Sequence, residues 1–279
     1  MTARRIRSLA ALSEAEEVDE RTILVLPLGA HEHHGPHLPF DTDTRIADGV
    51  ADRLVARLGE GDDRGAVAVL PAEPVGYSPE HMDFPGSRTL SYRDAVERWC
   101  AVGERAGALG VRRMLLLNAH GGNSPVMALV VQELRLRARM LAVATSWTRF
   151  GHPAGVVGVE EQAFGIHGGA VETSVMLALA PDTVRMDRAR AHPNLQRDLA
   201  ERFRFLRAYG PHGFGWKMQD LSPSGVAGDA AAATAEKGEA LLEAAVEGLA
   251  TLVREMRRFD LALLRDGPAP SANEQESTP

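Results

Sequence analysis

Four histidines and a glutamate, His31, Glu32, His33, His34 and His37, crowd one stretch, GAHEHHGPHLPFDTD, which ends in Asp41 and Asp43. Imidazole nitrogens and carboxylate oxygens suit Zn(II), Mn(II) or Fe(II), and such a set can hold two ions roughly 3.5–4 Å apart. The chemistry this offers is hydrolysis, because divalent ions acidify bound water. Glu32 and His34, two residues apart, point to the same side of an extended segment and can address neighbouring ions, while His33 alternates to the opposite side. Asp43, beyond a proline-rich turn, can come back to bridge. For His31 and His37 three readings stand open: contact with substrate, orientation of the ligands, or neither.

Three further segments carry chemistry. In NAHGGN, His120 precedes the pair Gly121-Gly122, which permits close backbone approach, and Asn118 and Asn123 can tie the turn or cap a helix. In FGIHGGAVETSVMLALAP, His167 precedes Gly168-Gly169, and Glu172 falls in the first turn of an apolar helix, where the helix dipole favours a carboxylate even if it binds nothing. In GYSPEHMDFPGSRTLS, Tyr77, Glu80, His81 and Asp83 lie in a loop broken by prolines and Gly86, which reads as facing substrate. Tyr77, His81 and His37 are the candidate substrate contacts.

These residues need strands to hold them. The apolar run Ile23–Leu28 has the length and composition of a buried parallel strand, and Gly29 turns the chain at its end. Further strands are expected at 66–70, 113–117 and 141–146, alternating with helices at 44–58, 92–109, 125–139 and 170–179 and a last helix over 230–257. This alternation predicts a three-layer α/β/α fold with a largely parallel central sheet, in which ligands bind beyond the carboxyl ends of strands. Residues 1–265 are read as one domain and 266–279, with three prolines, as a disordered tail.

Composition narrows the function. With 31 basic against 38 acidic side chains the formal charge is −7, so no basic field exists for nucleic acid. No run is long and apolar enough for a membrane span, and the N-terminus lacks the apolar core of a signal peptide, so a cytoplasmic protein is expected. The single cysteine, Cys100, excludes an internal disulfide and a cysteine-built zinc cluster. It lies in a helical pattern, and no G-x-S-x-G elbow appears, so a nucleophile-based hydrolase is disfavoured. Trp99, Trp147 and Trp216 are expected to pack, Trp147 standing near enough to a strand end to reach a pocket. GPHGFGW, residues 210–216, reads as a mobile lid or a subunit contact.

Taken together the motifs resemble the creatininase (creatinine amidohydrolase) family of metal-dependent amidohydrolases. The family pattern G-x-x-E-Q-H-G-P-H-L-P with a D-T-D-like element, then N-G-H-G-G-N, then H-A-G-x-x-E-T-S, stands here as GAHEHHGPHLPFDTD, NAHGGN and IHGGAVETS, in the same order. SPSGVAGDAAAATAEKGEALL is similar to its C-terminal G-x-x-G-D-x-x-x-A-T-x-E-K-G segment, so nearly the whole core is covered. The resemblance implies a creatininase-like fold. It implies that Glu32, His34, Asp43, His120 and Glu172 hold two divalent ions, Fe(II) and/or Zn(II) with Mn(II) as an alternative, and that Asp43 bridges. It further implies His167 as the proton-transfer or transition-state-stabilising residue, and a ring-like homo-oligomer, often a hexamer.

Departures bear on the substrate. His33 replaces the usual Gln, and Gly168-Gly169 the usual Ala-Gly. Gly121-Gly122 stand where creatinine-hydrolysing members carry Tyr and Glu, which weighs against creatinine and leaves Glu172 as the acidic ligand. DTDTRIADGVADRL and ETSVMLALAPDTVRMD are similar to the family's mycofactocin-system peptidases, which release a C-terminal Val-Tyr dipeptide from a modified precursor peptide. A peptide substrate is therefore expected. The alternatives are a small amide, whether creatinine, a formamide or a cyclic amide, and a catalytically silent metal-binding scaffold.

Overall fold

The computed structural model describes residues 3–13, 18–59 and 67–267. Its strands are β1 (Arg4–Arg5), β2 (Ile23–Leu28), β3 (Val67–Val69), β4 (Arg113–Asn118), β5 (Leu141–Ser146), β6 (Ala191–His192) and β7 (Gly228–Asp229). The α-helices are α1 (Leu9–Ser13), α2 (Thr42–Gly59), α3 (Tyr92–Ala108), α4 (Ser124–Ala138), α5 (Val159–Phe164), α6 (Ala170–Leu179), α7 (Leu195–Arg202), α8 (Met218–Leu221) and α9 (Ala235–Arg258). Strands β1 to β5 form one parallel sheet in the order β1-β3-β2-β4-β5, and β6 and β7 form an antiparallel ribbon.

Burial on both faces explains why β2 and β4 read as unbroken apolar runs: every residue of ILVLPL and RMLLLN is buried. Side chains alternate between the faces. Ile23 and Val25 meet Ile46, Val50 and Leu54 of α2 and Leu241 and Leu249 of α9 on one side. Leu24, Leu26 and Leu28 meet Trp99 of α3 and Val126, Val130 and Leu134 of α4 on the other. The expected three-layer α/β/α architecture follows directly from this pattern.

The expected strand at 66–70 narrows to Val67–Val69, with Ala66 outside the described residues. The expected helix over 230–257 is split. Asp229 accepts from the Ala231 amide, which closes a short 3-10 turn over Ala230–Ala232, and Thr234 is extended and accepts from the Lys237 amide at 3.2 Å. That N-cap starts α9 at Ala235. Trp147 is buried in the core beside α9 and is not part of the lining of the cavity over the site, whereas Trp216, expected only to pack, lines it. Of the expected C-terminal tail, residues 268–279 lie outside the described residues.

Strand order sets the location of the site. The chain leaves β2 for β3 on one side of it, then crosses back to β4 on the other, so connections diverge between β2 and β4. In open α/β sheets a crevice opens beyond the strand ends at such a switch point. Leu28 pairs with Asn118, and Asn118 with Ser146, so the loops leaving β2 and β4 start level and side by side.

Candidate active site

Three connections converge on the crevice. The loop after β2 carries Glu32 and His34, the first turn of α2 carries Asp43, the loop after β4 carries His120, and the entry to α6 carries His167 and Glu172. All but Glu172 are buried. His34 Nε2 lies 3.1 Å from Asp43 Oδ1 and 3.9 Å from Glu172 Oε2. His120 Nδ1 lies 3.1 Å from Glu32 Oε1 and 3.4 Å from Asp43 Oδ2. Asp43 thus turns one oxygen to each histidine. Ligand atoms fall within 4.8 Å of one another in three sets: Glu32, Asp43 and His120; His34, His167 and Glu172; and Glu32, His81 and His167.

The far nitrogen of each histidine is engaged, which fixes the near one as the lone-pair donor when the ring is neutral. His34 Nδ1 donates to the Glu32 carbonyl at 3.1 Å. His120 Nε2 donates to the Tyr77 carbonyl at 3.0 Å and stands 3.3 Å from Glu80 Oε1. His167 Nε2 donates to the His33 carbonyl at 2.7 Å, leaving Nδ1 3.5 Å from Glu32 Oε1. Ser78 Oγ donates to Glu32 Oε2, and the Gly168 amide donates to Glu172 Oε2 at 2.6 Å.

The electrostatics favour a cation. Glu32 Oε1 and Asp43 Oδ2 are buried, and the hydrogen-bonding groups near them are the ring nitrogens of neighbouring histidines, so a proton on those rings or a divalent ion must satisfy them. Burial works against charge on His34, but Asp43, Glu172 and Glu32 outweigh it and raise its pKa to about 10. His120 is likewise raised well above the ordinary value, burial being overcome by Glu32 and Asp43. Burial also opposes ionisation of Asp43, yet His34 and His120 hold it below the usual carboxylate range. Burial lifts Glu172 to about 7 and raises Glu32. Protons on His34 and His120 therefore stand in for positive charge that this carboxylate set demands. The donor set fits a metal pair.

The creatinine amidohydrolase family model matches residues 9–253. The chain belongs to the creatininase family. It is 34% identical over 232 residues to the mycofactocin precursor peptide peptidase of Mycolicibacterium smegmatis, with 83% of this chain and 84% of that one covered. It is 29% identical over 249 residues to the creatinine amidohydrolase of Pseudomonas putida, covering 84% and 89%. Among solved structures it is similar to a Mn creatininase (TM-score 0.66, 28% identity) and to a Zn-Zn creatininase (TM-score 0.67, 29% identity), each covering 86% of this chain and 92% of the other. As a creatininase-family member the chain is an amidohydrolase. No helix among the described residues is long and apolar enough to cross a membrane.

Not every residue singled out in the sequence faces the crevice. His81 does: its ring stacks at a tilt 4.3 Å from His167, and burial, then His120 and His34, push its pKa down to about 2, so it is neutral. The Tyr77 ring packs into the core under the sheet, and only its carbonyl reaches His120. His37 Nε2 contacts the Gly168 carbonyl at 3.0 Å and Thr173 Oγ1 at 3.1 Å, tying the β2 loop to the entry of α6. His31 stacks on Phe40 and His33 on Phe84. Asn118 accepts from the His120 amide at 3.1 Å, and Asn123 donates to the Gly29 carbonyl at 3.1 Å and caps no helix.

Ser78, Glu161 and Tyr209 of this creatininase-family site had no motif to announce them, whereas Glu80 lies in the loop expected to face substrate, and Phe214 and Trp216 lie in GPHGFGW, expected as a lid or a subunit contact. Ser78 and Glu80 flank ligands through single contacts. Glu161 of α5 accepts from the Ala170 amide at 2.6 Å and the Asp229 amide at 2.8 Å, capping α6 from outside and tying it to β7. A Cβ at Gly169 would lie 2.1 Å from that carboxylate, so a side chain there would push Glu161 off the Ala170 amide. Tyr209, Phe214 and Trp216 wall a cavity of about 420 Å³ whose floor is His81, His120, His167 and Glu172.

Proposed function

We propose that this chain is a two-metal amide hydrolase that releases the C-terminal Val-Tyr dipeptide from the modified mycofactocin precursor peptide. The observation that carries the reading is Asp43 shared between His34 and His120, beneath an aromatic-walled cavity whose lining includes His120 and Glu172. Glu32, Asp43 and His120 would hold one ion, and His34, Asp43 and Glu172 the other, with Zn(II) and/or Fe(II) the assigned metals and Mn(II) a substitute. When bound, such a pair acidifies water, toward pKa ~7 for a single catalytic zinc, and polarises an amide carbonyl. Residues 1–265 form the catalytic domain, working as a cytoplasmic homo-oligomer, a hexamer by family resemblance.

The chain's own residues supply positioning and proton transfer. Burial, with His34 and His81 nearby, keeps the His167 pKa well below its ordinary value, so its ring is neutral. Its Nδ1 lone pair faces the cluster and can take a proton and pass it to the leaving nitrogen. Ser78 and Glu80 fix the orientation of Glu32 and His120. The walls contributed by Tyr209, Phe214 and Trp216 exclude water around an aromatic leaving group. The cavity lies within the roughly 300–1,000 Å³ of small-ligand sites, room enough for a dipeptide.

Position 122 argues against creatinine. A Cβ there would lie 2.4 Å from His120 Nε2 and 2.6 Å from the Tyr77 carbonyl, so this backbone leaves no room for the Glu that creatinine-hydrolysing members carry. The test is incubation of protein reconstituted separately with Zn(II), Mn(II) and, anaerobically, Fe(II), with a peptide ending in Val-Tyr and with creatinine. Free Val-Tyr detected by mass spectrometry is the expected result. Intact peptide alongside hydrolysed creatinine would replace this reading with a small-amide hydrolase.

A further inference from the structure

We propose that a second cavity, which shares Ile166, His167 and Glu172 with the aromatic one, holds the acyl side of the peptide, with His152 as its hydrogen-bonding partner. The inference rests on the peptidase reading above. A hydrolase that removes two residues from the end of a chain must accommodate polypeptide on both sides of the broken bond. A small-amide hydrolase needs one chamber. Here two chambers share Ile166, His167 and Glu172 in their walls. The first has the aromatic side chains, and the second, of about 360 Å³, is lined by Thr148, His152, Glu161 and Val171.

The lining distinguishes their occupants. Tyr209, Phe214, Trp216 and Met218 offer apolar and ring surface that suits a Val-Tyr leaving group. The second chamber offers polar atoms instead. Glu161 is already committed to the Ala170 and Asp229 amides. His152 is not: its Nε2 is buried and has no hydrogen-bond partner. A ring nitrogen in that state, on a residue that lines the same chamber as His167 and Glu172, is matched by a peptide amide or carbonyl upstream of the cleaved bond, since buried polar atoms are normally paired. Balance of the step is simple: water adds to the carbonyl carbon, the C–N bond breaks, the nitrogen leaves protonated with Val-Tyr, and the carboxylate stays on the upstream chain.

The experiment compares kcat/KM for metal-reconstituted wild type and His152→Ala on peptides ending in Val-Tyr with one or with four residues upstream. Inhibition by free Val-Tyr is measured beside it. For wild type, lengthening the upstream chain should raise kcat/KM roughly three- to tenfold, the worth of about one good hydrogen bond. In His152→Ala that ratio should fall toward one through KM, while Val-Tyr inhibition is unchanged; in Phe214→Ala the ratio should persist and Val-Tyr inhibition weaken. Cleavage by wild type with no dependence on upstream length, or an unchanged ratio in His152→Ala, would overturn the inference and spare the peptidase reading. Failure of wild type to cleave either peptide while hydrolysing a small amide would overturn both.

Discussion

The ligand cluster and the aromatic wall of the cavity sit side by side but are built in opposite ways. Glu32, His34, Asp43 and His120 are buried, hang from the ends of central strands or the first turn of α2, and are each held by several partners. The wall comes from residues 209–218, outside the sheet and distant from its strands in sequence, resting on a small cluster of Leu199, Ala208, Met218, Leu221 and Ala227. Phe214 is 39% exposed, and neighbouring Phe203, Phe205 and Leu206 are 40%, 60% and 45% exposed. A rigid scaffold therefore fixes the chemistry, and a thinly packed excursion shapes the substrate pocket. Changes in the first region should abolish turnover, and changes in the second should alter which amide is turned over.

Three substitutions and one titration test that division, from the largest effect to the smallest. His167→Ala should retain metal and lose roughly 10²–10⁴-fold in kcat, the usual worth of a positioned proton carrier. Because His167 also lies within reach of two of the three candidate ligand sets, metal loss in this variant would move it into the coordination sphere. Ser78→Ala should weaken metal affinity about 10–100-fold by freeing the Glu32 carboxylate, read by competition with a chelating dye. Trp216→Ala should raise KM for a Val-Tyr-ended peptide about tenfold or less and leave kcat near wild type. An equal loss in kcat would show that the wall also positions the reacting groups.

The titration concerns protons. His34 and His120 have raised pKa values, so both carry protons at neutral pH until a cation takes the place of that charge. Binding must then release protons, and metal affinity should rise as pH increases through and above neutrality. Calorimetry in buffers of different ionisation enthalpy should report that release at pH 7. Metal uptake with no proton release would mean that the histidines are neutral before binding.

The same contrast explains what the sequence disclosed. In HEHHGPH and NAHGGN the ligands lie within a few residues of a strand end, so spacing along the chain translates almost directly into position in space. The parallel sheet was legible for a similar reason: strands covered on both faces read as continuous apolar runs. The glycine-rich stretch GPHGFGW stands out as a lid or subunit contact, but its place in the wall is not legible, because Trp216 packs with Tyr209, Met218 and Phe84, distant in sequence or without periodicity. Glu161 was invisible because its partners are backbone amides, which leave no mark on residue type. Thr234 ends the alanine-rich run that looks helical from Ala230, a case of local capping overriding propensity.

The most direct test of the central claim is metal content per chain, by mass spectrometry, for reconstituted wild type and Asp43→Ala. Two ions in wild type, and loss of both when the shared carboxylate is removed, is the predicted result. No stoichiometric metal in wild type, or two ions still held by Asp43→Ala, would contradict a centre built around Asp43.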